Sequence, residues 1–228
     1  MTNQIEANVK KDSTELQTPW RPGINGMFPI PIFMNQARDE EFKNIDEELK
    51  GVAEKLKFAQ KDGWNADTHM LSPDPFNRNI IGEYKCKYFL KFLEQSIYQY
   101  LYPILQHDGF DYAINGAWMT KTIKGKYAQE HSHGTADLSG VYYIDTTGED
   151  GNLFFDNIHS HACSNALVSQ LKAKEIMPLE NGLIMLWPGY LKHGTFVNRT
   201  DHERISLSFN ICLGRAGFGK DVLSNSRI

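Results

Sequence analysis

Cysteine is scarce in this chain. Cys86, Cys163 and Cys212 are the only three, and no two lie close in sequence. That number fits reduced thiols in a reducing compartment, and no pair has the spacing of a zinc site. Basic charge is not in excess either: 24 Lys and Arg stand against 28 Asp and Glu, a net charge of -4. The balance argues against nucleic acid or an anionic membrane as a partner. Long apolar runs are also missing. The first 19 residues are polar, unlike a secretory signal, and no stretch is long and apolar enough to span a bilayer. A cytoplasmic protein is the expectation. The chain also lacks a nucleophile elbow, a phosphate loop and a carboxylate dyad.

What remains is an ordinary globular mixture: 228 residues, 41% apolar and 23% charged. It is enough for a sizeable core and shows no internal repeat. Residues 1–19 read as a flexible arm, and 20–228 as a single domain. "GMFPIPIFM" (26–34) predicts a first strand, placed at an edge by its two prolines. Phe42, Ile45, Leu49, Val52 and Leu56 recur at helical spacing, with acidic residues leading and Gly63 as the stop. A second helix puts Phe89, Leu93, Ile97 and Leu101 on one face, with Pro103 near its end. Helical support thus spans about 39–104. Beyond residue 110 short strands recur between turns: "AINGAWMTKTI", "YAQEHSH", "LSGVYYIDT", "GNLFFDN", "GLIMLW", "GTFVN" and "RISLSFNICL". Helices followed by many strands predict an α+β protein with a mainly β core over about 111–214. The polar stretch after the "TTGEDG" turn reads as a long insertion of the kind that covers a site.

Chemistry concentrates in two places. His131 and His133 are two residues apart, and on a strand both imidazoles face one way. Later, His193 follows a Pro-Gly bend, and Arg204 stands eleven residues beyond it. In "RISLSFNI" Arg204, Ser206, Ser208 and Asn210 share one face, while Ile205, Leu207, Phe209 and Ile211 share the other. A guanidinium fork is a natural clamp for a carboxylate, and Ser206 can donate beside it. A second pair, His159 and His161 near Cys163, lies in the polar insertion without further ligands at zinc spacing. It reads as a loop, and His69, His107 and His202 read as unpartnered.

Taken in order, His131-Ser-His133, "LSGVYYI", "LWPGYLKHGTFVN" and "ERISLSFN" resemble the iron(II)/2-oxoglutarate-dependent oxygenases. The resemblance is closest to a bacterial and phage branch related to prolyl-hydroxylase-like enzymes, and it covers most of the chain. It implies a double-stranded β-helix, or jelly roll, with N-terminal helices packed outside. It further implies Fe(II) held by His131, position 133 and His193, with 2-oxoglutarate and O2 as co-substrates. Arg204, Ser206 and Tyr143 would take the distal carboxylate of 2-oxoglutarate. The implied reaction hydroxylates an unactivated C–H bond, with a prolyl or other peptide side chain as leading substrate. A free amino acid, a small metabolite and a nucleobase stay open.

The family usually places a carboxylate where this chain has His133. His133 as ligand keeps the i, i+2 geometry and gives a three-histidine site. Asp137 is the alternative; in a continuous strand it lies about 13 Å from position 133, so only a tight turn brings it near. Glu130 is a third option, but as His131's neighbour it points the other way. Two other classes compete: a non-catalytic jelly-roll binding module, and a three-histidine cupin-type dioxygenase without 2-oxoglutarate. Neither has use for the Arg204 and Ser206 clamp.

Overall fold

The computed structural model describes residues 29–59, 78–106, 110–158 and 172–214, and the fold lies within the unit 31–228. Eight strands and three helices follow in chain order among the described residues: β1 (Phe33–Gln36), α1 (Asp39–Ala53), α2 (Ile80–Glu83), α3 (Lys87–Leu105), β2 (Asp111–Thr122), β3 (Leu138–Asp145), β4 (Leu153–Asp156), β5 (Lys174–Ile176), β6 (Leu183–Pro188), β7 (His193–Thr195) and β8 (Arg204–Gly214). Five strands form one sheet in the order β1-β6-β3-β8-β2, and three form a second in the order β5-β4-β7. All the ladders are antiparallel. The architecture is the double-stranded β-helix with supporting helices.

Helix α1 opens with Asp39, Glu40 and Glu41 and carries Lys50 in its last turn, matching the helix dipole. Its buried residues are Ile45, Leu49 and Val52. Helix α3 begins without a side-chain cap of its own. Glu48 of α1 supplies one, its carboxylate accepting from the Tyr88 and Phe89 N–H groups. The apolar face of α3, including Phe89, Phe92, Leu93 and Ile97, packs on the outer side of the five-stranded sheet. Tyr142 meets Phe89 and Phe92 edge-on there, at 5.3 and 6.2 Å, and Phe209 meets Phe89 at 5.9 Å. Gly140 is required beneath this layer, because a Cβ there would sit 2.5 Å from the Phe209 ring.

Several boundaries differ from the sequence reading. β1 starts at Phe33, beyond both prolines, since proline cannot donate to a ladder. It does lie at a sheet edge. Helix α1 ends at Ala53, well before Gly63, which lies outside the described residues. Within the supposed insertion, Lys174–Ile176 forms strand β5 against β4. His69, His107, His159, His161 and Cys163 lie outside the described residues. "YAQEHSH" is not a strand: only His131 pairs, through a single bridge to His193. That bridge is reciprocal, each residue's N–H donating to the other's carbonyl at 2.9 Å.

Candidate functional site

The reciprocal bridge makes His131 and His193 a directly opposed pair, so their side chains leave the same face. Their rings are 4.5 Å apart, centroid to centroid. His133 arrives differently. Its N–H donates to the Gly189 carbonyl at 2.8 Å, and its carbonyl accepts from Ala136 N in a turn. The Pro188-Gly189 bend therefore docks the "HSHG" turn against the mouth of the barrel. The His133 ring ends 4.9 Å from His131 and 5.3 Å from His193. One nitrogen from each of the three lies within 4.8 Å of the others, so this group could hold a metal ion.

Hydrogen bonds fix two of the ring tautomers. His131 Nδ1 lies 2.6 Å from the Gln129 carbonyl, and His193 Nδ1 lies 2.9 Å from the Leu191 carbonyl. A carbonyl only accepts, so each Nδ1 carries the proton and each Nε2 keeps its lone pair. Burial holds all three imidazoles neutral. It lowers His131, lowers His193 well below the ordinary histidine value, and with His131 alongside takes His133 down to about 4.

The carboxylates nearest in sequence are engaged elsewhere. Asp137 turns away, its Oδ2 accepting from Leu213 N at 2.8 Å. Glu130 joins Lys174 and, at 3.0 Å, Lys192; both lysines also reach Asp156. This ring of alternating charge ties the residues preceding His131 and His193 together. His202, expected to be unpartnered, stands 3.3 Å from Asp145 and 3.7 Å from Asp150, because the "TTGEDG" turn folds back over β8.

The inward face of the five-stranded sheet builds the rest. Register sets Thr122 beside Arg204, Thr120 and Tyr143 on either side of Ser206, and Trp118 and Val141 on either side of Ser208. Arg204 is 2% exposed. Its guanidinium donates to Thr122 Oγ1 at 3.2 Å, to the Asp150 carbonyl at 3.1 Å and to the Gly151 carbonyl. Burial lowers its affinity for the proton, while Tyr143 and the fully buried Asp150 favour the charge. Tyr143 is pushed upward by its own burial and stays a neutral phenol.

A cavity of about 70 Å³ joins the two ends, lined by His131, His133, His193, Tyr143, Arg204 and Ser206, among others. That is several times the space one buried water needs. Sequence reasoning missed Thr120, Thr122, Trp187 and Asp150 here. The alternation in "WMTKT" held a signal for Thr120 and Thr122; the hairpin that brings in Asp150 held none. Among the described residues, two lining side chains have buried polar atoms without a partner: Arg204 Nε and Trp187 Nε1. Both are donors. The cavity therefore suits an acceptor-only ligand such as a dicarboxylate, and three imidazoles suit ferrous iron.

Residues 116–210 match a family model described as "Putative 2OG-Fe(II) oxygenase", a span that holds every lining residue just named. No curated protein matches the chain. Among solved structures, it is similar to a 2OG-Fe(II) oxygenase family oxidoreductase from Burkholderia pseudomallei, at 13% identity, 79% of this chain, 84% of that one and TM-score 0.54. It is also similar to HygX from Streptomyces hygroscopicus, solved with nickel, 2-oxoglutarate and hygromycin B, at 14% identity, coverages of 84% and 85%, and TM-score 0.54. The carbocyclase SnoK from nogalamycin biosynthesis matches at 11% identity, 87% of each chain and TM-score 0.53. These likenesses share the fold. The chain thus matches the 2OG-Fe(II) oxygenases over residues 116–210, the span that builds the cavity. It is an enzyme that uses Fe(II), 2-oxoglutarate and O2. That sets aside the binding-module and 2-oxoglutarate-free readings. No helix among the described residues is long and apolar enough to cross a membrane.

Proposed function

We propose that this enzyme hydroxylates an unactivated C–H bond, with a prolyl or other peptide side chain as substrate. His131, His133 and His193 hold the iron, and Arg204, Ser206 and Tyr143 hold the distal carboxylate of 2-oxoglutarate. The activity sits in one cytoplasmic domain over residues 20–228; the expected arm, 1–19, lies outside the described residues. The observation that carries this reading is one cavity with three neutral imidazoles at one end and a buried guanidinium with an unpaired Nε at the other.

When bound, iron and 2-oxoglutarate supply the oxidation: the keto acid loses CO2 to become succinate, and the second oxygen atom of O2 goes to the substrate. The protein's own contribution is positional. His131 and His193 keep their Nδ1 protons on backbone carbonyls, which aims both Nε2 lone pairs at one point. Arg204 and the Tyr143 phenol favour an anion between them, and Ser206 donates from the same strand face. Trp118, Val141, Leu153 and Trp187 give the cavity an apolar lining. The presence of Tyr143 and Arg204 on the wall of one cavity supports the prolyl-hydroxylase-like reading of the substrate. The test is succinate release by iron-loaded enzyme, measured with a panel of proline-containing peptides and with small metabolites. Release that rises only with peptides supports the peptide reading; release driven only by a small molecule overturns it.

A further inference from the structure

His133 differs from the other two histidines in what its Nδ1 meets. His131 and His193 each face a backbone carbonyl, which admits one tautomer. His133 Nδ1 lies 3.3 Å from Asn210 Nδ2, and Asn210 Oδ1 accepts from Ser139 Oγ at 2.9 Å. Asn210 and Ser139 are 8% and 1% exposed, and they are register partners on β8 and β3. In this arrangement the amide N–H donates to Nδ1. A neutral ring then carries its proton on Nε2, which removes the lone pair that a metal needs.

A side-chain amide keeps its shape when turned by 180°, and a serine hydroxyl both donates and accepts. The same three residues therefore support a second arrangement. His133 Nδ1–H donates to Asn210 Oδ1, Asn210 Nδ2–H donates to Ser139 Oγ, and His133 Nε2 is bare. The ring carries one proton in both states; that proton moves from Nε2 to Nδ1 through solvent.

We propose that Ser139 and Asn210 form a reversible hydrogen-bond relay whose reversal selects the metal-binding tautomer of His133. This rests on His133 being an iron ligand. Asn210 is a positioning residue: it substitutes for the fixed carbonyl that the other two histidines enjoy. The relay stores the metal-free state with all its buried polar groups paired, and it admits the ion by turning one amide.

The experiment uses the full chain, Co(II) alone without co-substrate, and calorimetric titration. Asn210→Ala removes the acceptor and is expected to weaken Co(II) binding about ten- to a hundredfold, the usual effect of losing a group behind a metal-binding histidine. Asn210→Asp supplies an oxygen to Nδ1–H and is expected to bind at least as tightly as the native chain. Ser139→Ala, which keeps the amide, serves if Asn210→Ala does not fold, and is expected to weaken binding in the same direction. Nitrogen-15 NMR of the Zn(II)-loaded protein supplies a readout that general damage would not move. The native chain should show His133 protonated at Nδ1 when metal is bound and at Nε2 when it is not. A single tautomer in both states overturns the relay, as does equal weakening by Asn210→Ala and Asn210→Asp. His133→Ala separates the two levels. If it loses metal while Asn210→Ala binds normally, the ligand assignment stands and the relay falls. If neither change affects binding, the ligand assignment itself is wrong.

Discussion

Replacing Arg204 with lysine keeps the charge and removes the fork. The native guanidinium spends its terminal nitrogens on Thr122 Oγ1 at 3.2 Å and on the carbonyls of Asp150 and Gly151, leaving buried Nε unpaired. A lysine gathers its donors on one nitrogen. It can satisfy the turn carbonyls or reach a ligand, but it cannot do both from two separated points. The ligand then loses a charge-assisted hydrogen bond, worth about 1.5–3 kcal/mol. At ~1.4 kcal/mol per decade this is about a ten- to 150-fold rise in the Kd for 2-oxoglutarate. The fold loses the Thr122 link and part of the turn anchoring, about 1–3 kcal/mol, within the ~5–15 kcal/mol available to a domain. The assay is anaerobic calorimetric titration of 2-oxoglutarate into Ni(II)-loaded protein, with Ni(II) titration and thermal melting run beside it. Unchanged 2-oxoglutarate affinity would show that the fork is not the clamp. Parallel loss of metal and co-substrate would show that Arg204 acts only through the fold.

Acid should destabilise the metal-free protein between about pH 6.5 and 4. Unfolded histidines take up protons near 6.5, whereas burial delays His133 to about 4, so the unfolded chain binds more protons in that window and stability falls with pH across it. His133 alone corresponds to on the order of 2–3 kcal/mol, and denaturant melts that stay flat over the window would contradict this. Gly189→Ala should lower both the melting temperature and Co(II) affinity. Its Cβ would press on the Ala136 carbonyl and stand 2.8 Å from the His133 carbonyl, so the "HSHG" turn must shift, at a cost of about 1–3 kcal/mol; native-like Co(II) binding would refute the docking argument. Asp137→Ala should leave iron content intact and cost about 1 kcal/mol, the hydrogen bond to Leu213 N, whereas His133→Ala should empty the site. Loss of iron on the Asp137 change alone, read by metal analysis, would reverse the ligand assignment.

Period-two alternation made much of this site readable from sequence. In "RISLSFNI" it separated Arg204, Ser206 and Ser208, which line the cavity, from Leu207 and Ile211, which pack against the helices. The same alternation set Tyr143 inward and Tyr142 into the core. Helical spacing found the face of α3 that supports the sheet. The two histidines come together by a different route from the one their spacing predicts: no strand aligns His131 and His133. A bridge to β7 sets one, and a turn docked on Gly189 sets the other. Such contacts join residues far apart in the chain, so no local pattern announces them. Strand β5 is three residues long and its burial pattern has no apolar face, so it left no periodic trace. Asp150 was invisible for a related reason. Its sequence signal is that of a turn, and its place under Arg204 follows only from how the hairpin folds back.

Asp150 also bears on the missing carboxylate. In the family's usual site, a ferrous ion, one ligand carboxylate, a doubly charged keto acid and one arginine sum to zero. With His133 in the ligand set, one negative charge is absent and the loaded cavity would carry an excess of one. Burying an unbalanced charge is costly, so a counter-charge is expected close by. Asp150 fits that need. Its side chain is fully buried, accepts from Thr146 Oγ1 at 2.6 Å and Thr147 N at 2.8 Å, and favours the charged form of Arg204. On that three-histidine ligand set, the charge that the family keeps on the metal would be matched by Asp150, behind the guanidinium. There it offsets Arg204 before any ligand enters. The three-histidine set and the buried "TTGEDG" carboxylate are then two parts of one electrostatic arrangement.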